Sequence, residues 1–308
     1  MRSLPAFLSR IFIISLIMPL QGLQAEQKGT PVFGRNDPSR YGETKNCHGG
    51  TGSLHSMTLL GSQVNPHLFE TNLYFFARGQ LPPKSGIGEH IHRDCEEMFF
   101  ILNAPAEFTI NGRTALLPAG SCVACPMGTS HGVYNNSDIT LEWLDIAVTK
   151  EKGKFDSIDY GDDLTNHNIE SPAPFKWAQF DRSLLQPVTG AHGGKGTLFF
   201  RRLWSGESFK SNWEWIDHVV LPPKTSIGYH QHNAIEEVYY IMSGKGRMTV
   251  NDHTWDVTPG DAIPCTLHDS HGIYNNTGED LEIFVLGVSM EKGVTNVKNW
   301  GDDLSDRK

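Results

Sequence analysis

The 308-residue chain has little cysteine, no excess of positive charge and no long apolar run. Each absence removes a class of protein. Five cysteines, Cys47, Cys95, Cys122, Cys125 and Cys265, are too few for a disulfide-built scaffold, and an odd number cannot pair fully within one molecule. Cys122 and Cys125 have CxxC spacing, but no second CxxC follows and the segment reads as a strand, so they are expected to be ordinary buried thiols. With 26 basic residues against 35 acidic ones and a net charge of −9, there is no basic excess to release counterions from a phosphate backbone, and nucleic acid is not an expected partner. The most apolar stretch, residues 11–20, falls short of the ~20 residues needed to cross a bilayer. It follows Arg2 and Arg10 and precedes the polar QGLQAEQKG, the order of a secretory signal. Cleavage after Ala25 is expected to leave a secreted or periplasmic protein with no stable membrane insertion and a net charge of about −11.

What is present is one unit, twice. Residues 81–164 align without a gap on residues 221–304, with about 32 of 84 positions identical. LPPK opens both copies, SHG followed by Tyr and two Asn marks both middles, and GDDL closes both. Upstream, HGGTGSL from His48 matches HGGKGTL from His192 at an offset four residues larger, so a loop differs in length between the copies. Each copy consists of short β-branched and aromatic segments, such as EMFFILN and EVYYIMS, punctuated by turns such as PAGS and TPGD. Neither copy carries a long helical period. The pattern predicts an all-β protein of two tandem barrels or sandwiches: a signal over 1–25, a first domain over 26–164, a connecting segment over 165–190 and a second domain over 191–308. Within the connecting segment, FKWAQFDRSLL suits either a short helix or an edge strand.

The first copy places His90 and His92 two residues apart, which on a strand puts both on one face. A turn after them can bring in Glu97 from the next strand, and His131 can complete the set. The second copy repeats the spacing with His230, His232, Glu237 and His271. Three imidazoles and a carboxylate suit Mn, Fe, Cu, Ni or Zn, one divalent transition metal per domain, with open positions for water or substrate. Glu96 and Glu236 fall on the opposite face of their strands, unless a bulge exchanges the roles of each acidic pair.

These residues resemble the cupin superfamily, whose first motif holds HxH, a glutamate and a glycine, and whose second holds G, PxGxxH and an asparagine. The second copy supplies His230, His232, Glu237 and Gly244 for the first motif, and the first copy supplies Gly120, Pro126, Gly128, His131 and Asn135 for the second. Departures fall on turns: Ala104 for a glycine, Lys84 and Lys224 at the opening glycine, and Thr266 and His268 for the proline and glycine of the second copy. The resemblance implies a bicupin of two jelly-roll barrels, association into a homo-oligomer through sheet edges, and a metal-dependent enzyme. Its substrate would be a small oxygenated organic molecule, and its chemistry oxygenation or that of a lyase or decarboxylase. A noncatalytic periplasmic metal- or ligand-binding protein is the alternative. Oxalate-decarboxylating bicupins usually carry an arginine just before HxH; Gly88 and Glu89, or Gly228 and Tyr229, stand there instead.

Inward alternation from Glu97 and Glu237 predicts interiors lined by Phe99, Ile101, Phe108 and Ile110, and by Tyr239, Ile241, Met248 and Val250. Tyr239 adds a hydroxyl that the first copy lacks, and His268 could supply an acid or base, which makes these two the catalytic candidates. His48 and His192, in glycine-rich blocks, are expected to pack loops.

Overall fold

The computed structural model describes residues 33–308, so the signal expected over 1–25 lies outside the described residues. Among the described residues there are strands and 3-10 turns and no α-helix. Each copy forms an antiparallel barrel of one seven-stranded and one five-stranded sheet. In the first barrel the large sheet runs Ala178–Gln179, Ser121–Cys125, Cys95–Ile101, Leu141–Thr149, Leu73–Leu81, Ser53–Gly61 and Gly42–Lys45. Its small sheet runs Ile158–Asp162, Ser85–Ile91, Ser130–Asn135, Ala106–Ile110 and Arg113–Leu117. The second barrel repeats this order with its own strands, Ser226–Gln231 and Ser270–Tyr274 pairing in the small sheet and Ile235–Ser243 and Leu281–Ser289 in the large one.

The continuous apolar runs of the large sheets follow from burial on both faces. Along Cys95–Ile101, Phe99 and Ile101 enter the first barrel's core, while Met98 and Phe100 enter a third core shared by the two barrels. Along Ile235–Ser243, Tyr239 and Ile241 face the second barrel, while Val238 and Tyr240 face the shared core. Rings stack across this junction: Phe100 on Phe284 at 4.6 Å and Phe76 on Tyr240 at 5.5 Å between centroids. The interiors contain Phe99, Phe108, Tyr239, Met248 and Val250, with Ile110 packed against the first core from a partly buried position.

Three short pairings cross the boundaries read from the sequence. Gly34–Arg35, assigned to the first domain, pairs with Asp261–Cys265 of the second barrel. Ala178–Gln179, in the connecting segment, pairs with Ser121–Cys125 of the first barrel, and Gln186–Thr189 extends the second. Each two-residue strand covers an edge whose backbone groups would otherwise stay unpaired, and is too short to show a periodic signal. FKWAQFDRSLL is thus in part an edge strand, followed by a 3-10 turn at Arg182–Leu184.

All five cysteines are free thiols. Cys122 faces the shared core and Cys125 the first barrel, because residues three apart on a strand point to opposite faces.

Candidate metal centres

His90 and His92 lie at the end and just beyond the end of Ser85–Ile91, Glu97 on the adjacent large-sheet strand Cys95–Ile101, and His131 on Ser130–Asn135. Register puts His131 opposite His90, so three strands converge on one point. All four side chains are buried, and their ligand atoms lie within 4.8 Å of one another. Glu97 Oε2 stands 2.9 Å from His131 Nε2, 3.3 Å from His92 Nε2 and 3.9 Å from His90 Nε2. In the second barrel Glu237 Oε2 stands 2.7 Å from His271 Nε2, 3.6 Å from His232 Nε2 and 3.7 Å from His230 Nε2.

Every imidazole is oriented from behind by its other nitrogen. His90 Nδ1 donates to Gly88 O at 2.9 Å and His131 Nδ1 to Thr129 O at 3.3 Å, while His92 Nδ1 donates to Asp156 O. The second barrel repeats this with Gly228 O at 2.9 Å, Asp269 O at 3.2 Å and Asn296 O. A proton fixed on Nδ1 leaves the Nε2 lone pair directed at the centre, the arrangement by which a carbonyl orients a metal-binding histidine. His92 Nε2 is buried and has no hydrogen-bond partner among the described residues. Three inward lone pairs and a carboxylate fit a divalent transition metal, one per barrel.

The electrostatics agree in part. Burial, with the His48, His131 and His92 rings beside it, pushes His90 well below the usual histidine range, and burial lowers His131 and His230. Burial would raise Glu97, but the His92 and His131 rings beside it outweigh burial and hold the carboxyl well below its ordinary value. Glu237 is held down against burial in the same way by His230, His271 and His232. Neutral imidazoles and an ionised carboxylate are the states a metal requires. His92 departs from this pattern: burial would lower it, but the Glu97 charge outweighs burial and raises it, so a metal bound there displaces a proton.

Two histidines have a role that the sequence reading missed. His48 stacks on His90 with ring centroids 3.8 Å apart and planes 10° from parallel, and His192 stacks on His230 at 4.0 Å and 12°. The glycines of their blocks allow this approach: a Cβ on Gly50 would lie 2.3 Å from Gly86 O, and one on Gly194 would lie 2.3 Å from Ser226 O. His48 Nδ1 meets Asp159 Oδ1 at 2.6 Å, whereas His192 Nδ1 meets the amide oxygen of Asn299 at 3.0 Å. The signal was the recurrence of the block in both copies.

Glu96 and Glu236 turn away from the centres and clasp the opposite barrel. Glu96 accepts from Lys210 N at 2.9 Å, Ser211 N at 2.8 Å and Ser211 Oγ at 2.5 Å. Glu236 accepts from Glu70 N at 3.0 Å, Thr71 N at 2.9 Å and Thr71 Oγ1 at 2.6 Å. The two clasps are related by the repeat.

Of the catalytic candidates, Tyr239 is buried beside the second centre, its ring 5.6 Å from that of His271, and burial with the nearby Glu237 charge pushes its hydroxyl well above the usual range. His268 lies in an exposed turn with φ 69°, its Nδ1 3.1 Å from Asn233 Oδ1. Glu89, at the place of the oxalate arginine, accepts from Ser130 Oγ at 2.5 Å and Gly112 N at 2.8 Å, and the Tyr229 hydroxyl donates to Asn251 O.

The Cupin domain family model matches the chain twice, at residues 77–147 and 217–287. An oxalate-binding protein of Thermotoga maritima is 30% identical over 99 residues, spanning 32% of this chain and 82% of that protein. An uncharacterized protein of Methanocaldococcus jannaschii is 31% identical over 84 residues, 26% of this chain and 67% of that one. Among solved structures, oxalate decarboxylase of Bacillus subtilis superposes with a TM-score of 0.60 at 16% identity, covering 89% of this chain and 80% of that one. Salicylate 1,2-dioxygenase of Pseudaminobacter salicylatoxidans superposes with a TM-score of 0.64 at 15% identity, covering 80% of each. At such identities the likeness is one of fold. With two matched Cupin domains, each carrying its own cluster of three histidines and a glutamate, the chain belongs to the cupin family and is a bicupin.

Proposed function

We propose that the protein is a metal-dependent bicupin enzyme acting on a small oxygenated carboxylic acid, by oxygenation or by lyase or decarboxylase chemistry. The observation that carries the reading is the convergence of three carbonyl-anchored imidazoles and one carboxylate in each barrel. His90, His92, Glu97 and His131 hold one metal and His230, His232, Glu237 and His271 the other. A bound divalent metal supplies a Lewis acid for a substrate oxygen and, when redox-active, an electron-transfer partner. The chain supplies orientation and an apolar surrounding: Phe99 packs beside His131, backed by Phe108 and Trp143, and Tyr239 packs beside His271. The absence of an arginine before HxH argues against oxalate as the substrate. Export through residues 1–25 and assembly into a homo-oligomer belong to the same proposal.

A second reading, a noncatalytic binding protein, is favoured by the likeness to the oxalate-binding protein of Thermotoga maritima. The test is elemental analysis of protein from its native compartment, followed by oxygen uptake and carbon dioxide release with salicylate and with oxalate. About two metals per chain and turnover of either acid support the enzyme. Full metal occupancy with oxalate bound and neither acid consumed establishes the binding protein, and protein without metal overturns both metal-dependent readings.

A further inference from the structure

Where the connecting segment lies against the first barrel, Lys176 and Trp177 face the second-barrel strand Thr197–Ser205 across a cavity of about 480 Å³. None of its lining residues belongs to either metal cluster. In a chain of net charge −9, three cations, Lys176, Arg201 and Arg202, line it together with the hydroxyls of Ser205 and Ser208, and no acidic residue does so among the described residues. Arg202 is already committed: its Nε and Nη2 donate to Asp217 at 2.8 and 2.9 Å. Arg201 is not. Its Nη1 is buried with no hydrogen-bond partner among the described residues, and Asp181 is the carboxylate whose charge it influences from nearby. Arg201 is half-buried, and a guanidinium partly withdrawn from water without an acceptor is unfavourable, so an incoming anion that accepts from its accessible nitrogens gains more than it would from a fully solvated arginine. The aromatic wall beside the two free cations suits an apolar body attached to that anion, because a flat ring can pack on Trp177 while its carboxylate reaches Arg201 and Lys176.

We propose that this cavity is a binding site for a small organic carboxylate with an aromatic or other flat apolar body, separate from both metal centres. Occupation ties the connecting segment to the second barrel, since Lys176 and Arg201 come from the two sides.

The probe is benzoate, titrated calorimetrically and by tryptophan fluorescence into the full chain, with benzyl alcohol as its uncharged counterpart. One benzoate per chain is expected, with binding weakened about tenfold by Arg201→Met and less by Lys176→Met, as for loss of a charge-assisted hydrogen bond. The variant with His230, His232 and His271 changed to alanine is expected to bind benzoate as the parent does, as is the variant with His90, His92 and His131 changed. Equal affinity in parent and Arg201→Met overturns the proposal. So does loss of binding in either histidine variant, equal affinity for benzyl alcohol, or no saturation by about 10 mM benzoate. Lys176 is exposed, so Lys176→Met reports on the site even where Arg201→Met fails to fold, and an unchanged affinity in it overturns the site as drawn.

Discussion

The two barrels hold the same metal-binding shell in different interiors. Ligands, backbone carbonyl anchors, stacked histidine and carboxylate clasp all recur, yet the walls do not. The first barrel has Ala77, Phe99 and Asp145 where the second has Asp217, Tyr239 and Val285, neighbours on adjoining strands in each case. Each interior thus contains one buried aspartate, placed on a different strand. Asp217 is braced by Arg202, while Asp145 Oδ1 has no hydrogen-bond partner among the described residues. The difference teaches that the shell tolerated little change after duplication, whereas the interior walls beside it diverged. The barrels are therefore equivalent as metal holders and distinct as cavities.

Removing one carboxylate ligand tests the equivalence most severely. Glu97→Gln and Glu237→Gln are each expected to lower metal content from about two per chain to about one, with affinity at the altered site falling ~100-fold or more. Elemental analysis of both variants decides it; loss of both metals from one substitution would mean that the sites are coupled rather than equivalent.

The clasps come next. Glu96→Ala and Glu236→Ala each strand buried backbone donors from the opposite barrel and should each destabilise the fold by about 3 kcal/mol, read from urea midpoints. Similar losses are expected because the two sets of partners match; a large loss in one variant alone would break the pseudo-symmetry.

The buried aspartates should then separate the interiors. Arg202→Met leaves the Asp217 carboxylate without its partner and should cost about 2 kcal/mol, the lower end for a pair whose arginine is half exposed. Asp145→Asn should instead be neutral or stabilising by about 1 kcal/mol near pH 7. Burial, with the Glu97 charge beside it, holds the Asp145 carboxyl well above its ordinary value of 3.8. A carboxyl so raised opposes folding increasingly as pH rises above 3.8, so the benefit of Asp145→Asn should vanish at lower pH. Thermal unfolding at several pH values measures both variants.

A smaller contrast lies at the barrel junction, where Arg78 pairs with Glu142 in the first copy and His218 with Glu282 in the second. Burial would raise Glu282, yet hydrogen bonds from His218 and Arg182 bring it down to about 2. A lowered carboxyl contributes stability above its ordinary 4.5 and loses it as pH falls toward 2. Glu282→Gln should cost about 1 kcal/mol at pH 7, reduced by solvent around the half-exposed Arg182, and nothing near pH 2. Urea unfolding across that interval checks it.

Much of this was legible in the sequence because duplication wrote it twice. Strand alternation placed Glu97 and Glu237 inward and Glu96 and Glu236 outward, and HxH on one strand gave two ligands to each centre. Three things were not legible. The clasps join residues 115 and 165 positions apart, a separation that no local period reports. The stacking of His48 on His90 depends on close approach between glycine backbones, which spacing alone does not show. Gly34–Arg35 crosses to the second barrel because an open edge there needs cover, a requirement of the assembled sheet rather than of the segment.

The smallest expected effect concerns His268, which occupies the turn position that Gly128 fills in the first barrel. Gly128 has φ 82° and donates its N–H to His92 O at 2.8 Å; His268 has φ 69° and donates to His232 O at 3.1 Å. The turn is the same, but a residue with a Cβ is strained in the left-handed region by roughly 1 kcal/mol relative to glycine. Its side chain recovers part of this through Asn233, at an exposed site where such a bond contributes little. His268→Gly should therefore stabilise the chain by about 0.5 kcal/mol, and Gly128→His should destabilise it by about 1 kcal/mol, with metal content unchanged in both. If turnover falls in His268→Gly while its midpoint rises and both metals stay bound, the imidazole is retained for substrate chemistry at the second centre. If turnover also holds, the histidine is a tolerated departure in a turn, and the chemical difference between the barrels lies in their walls.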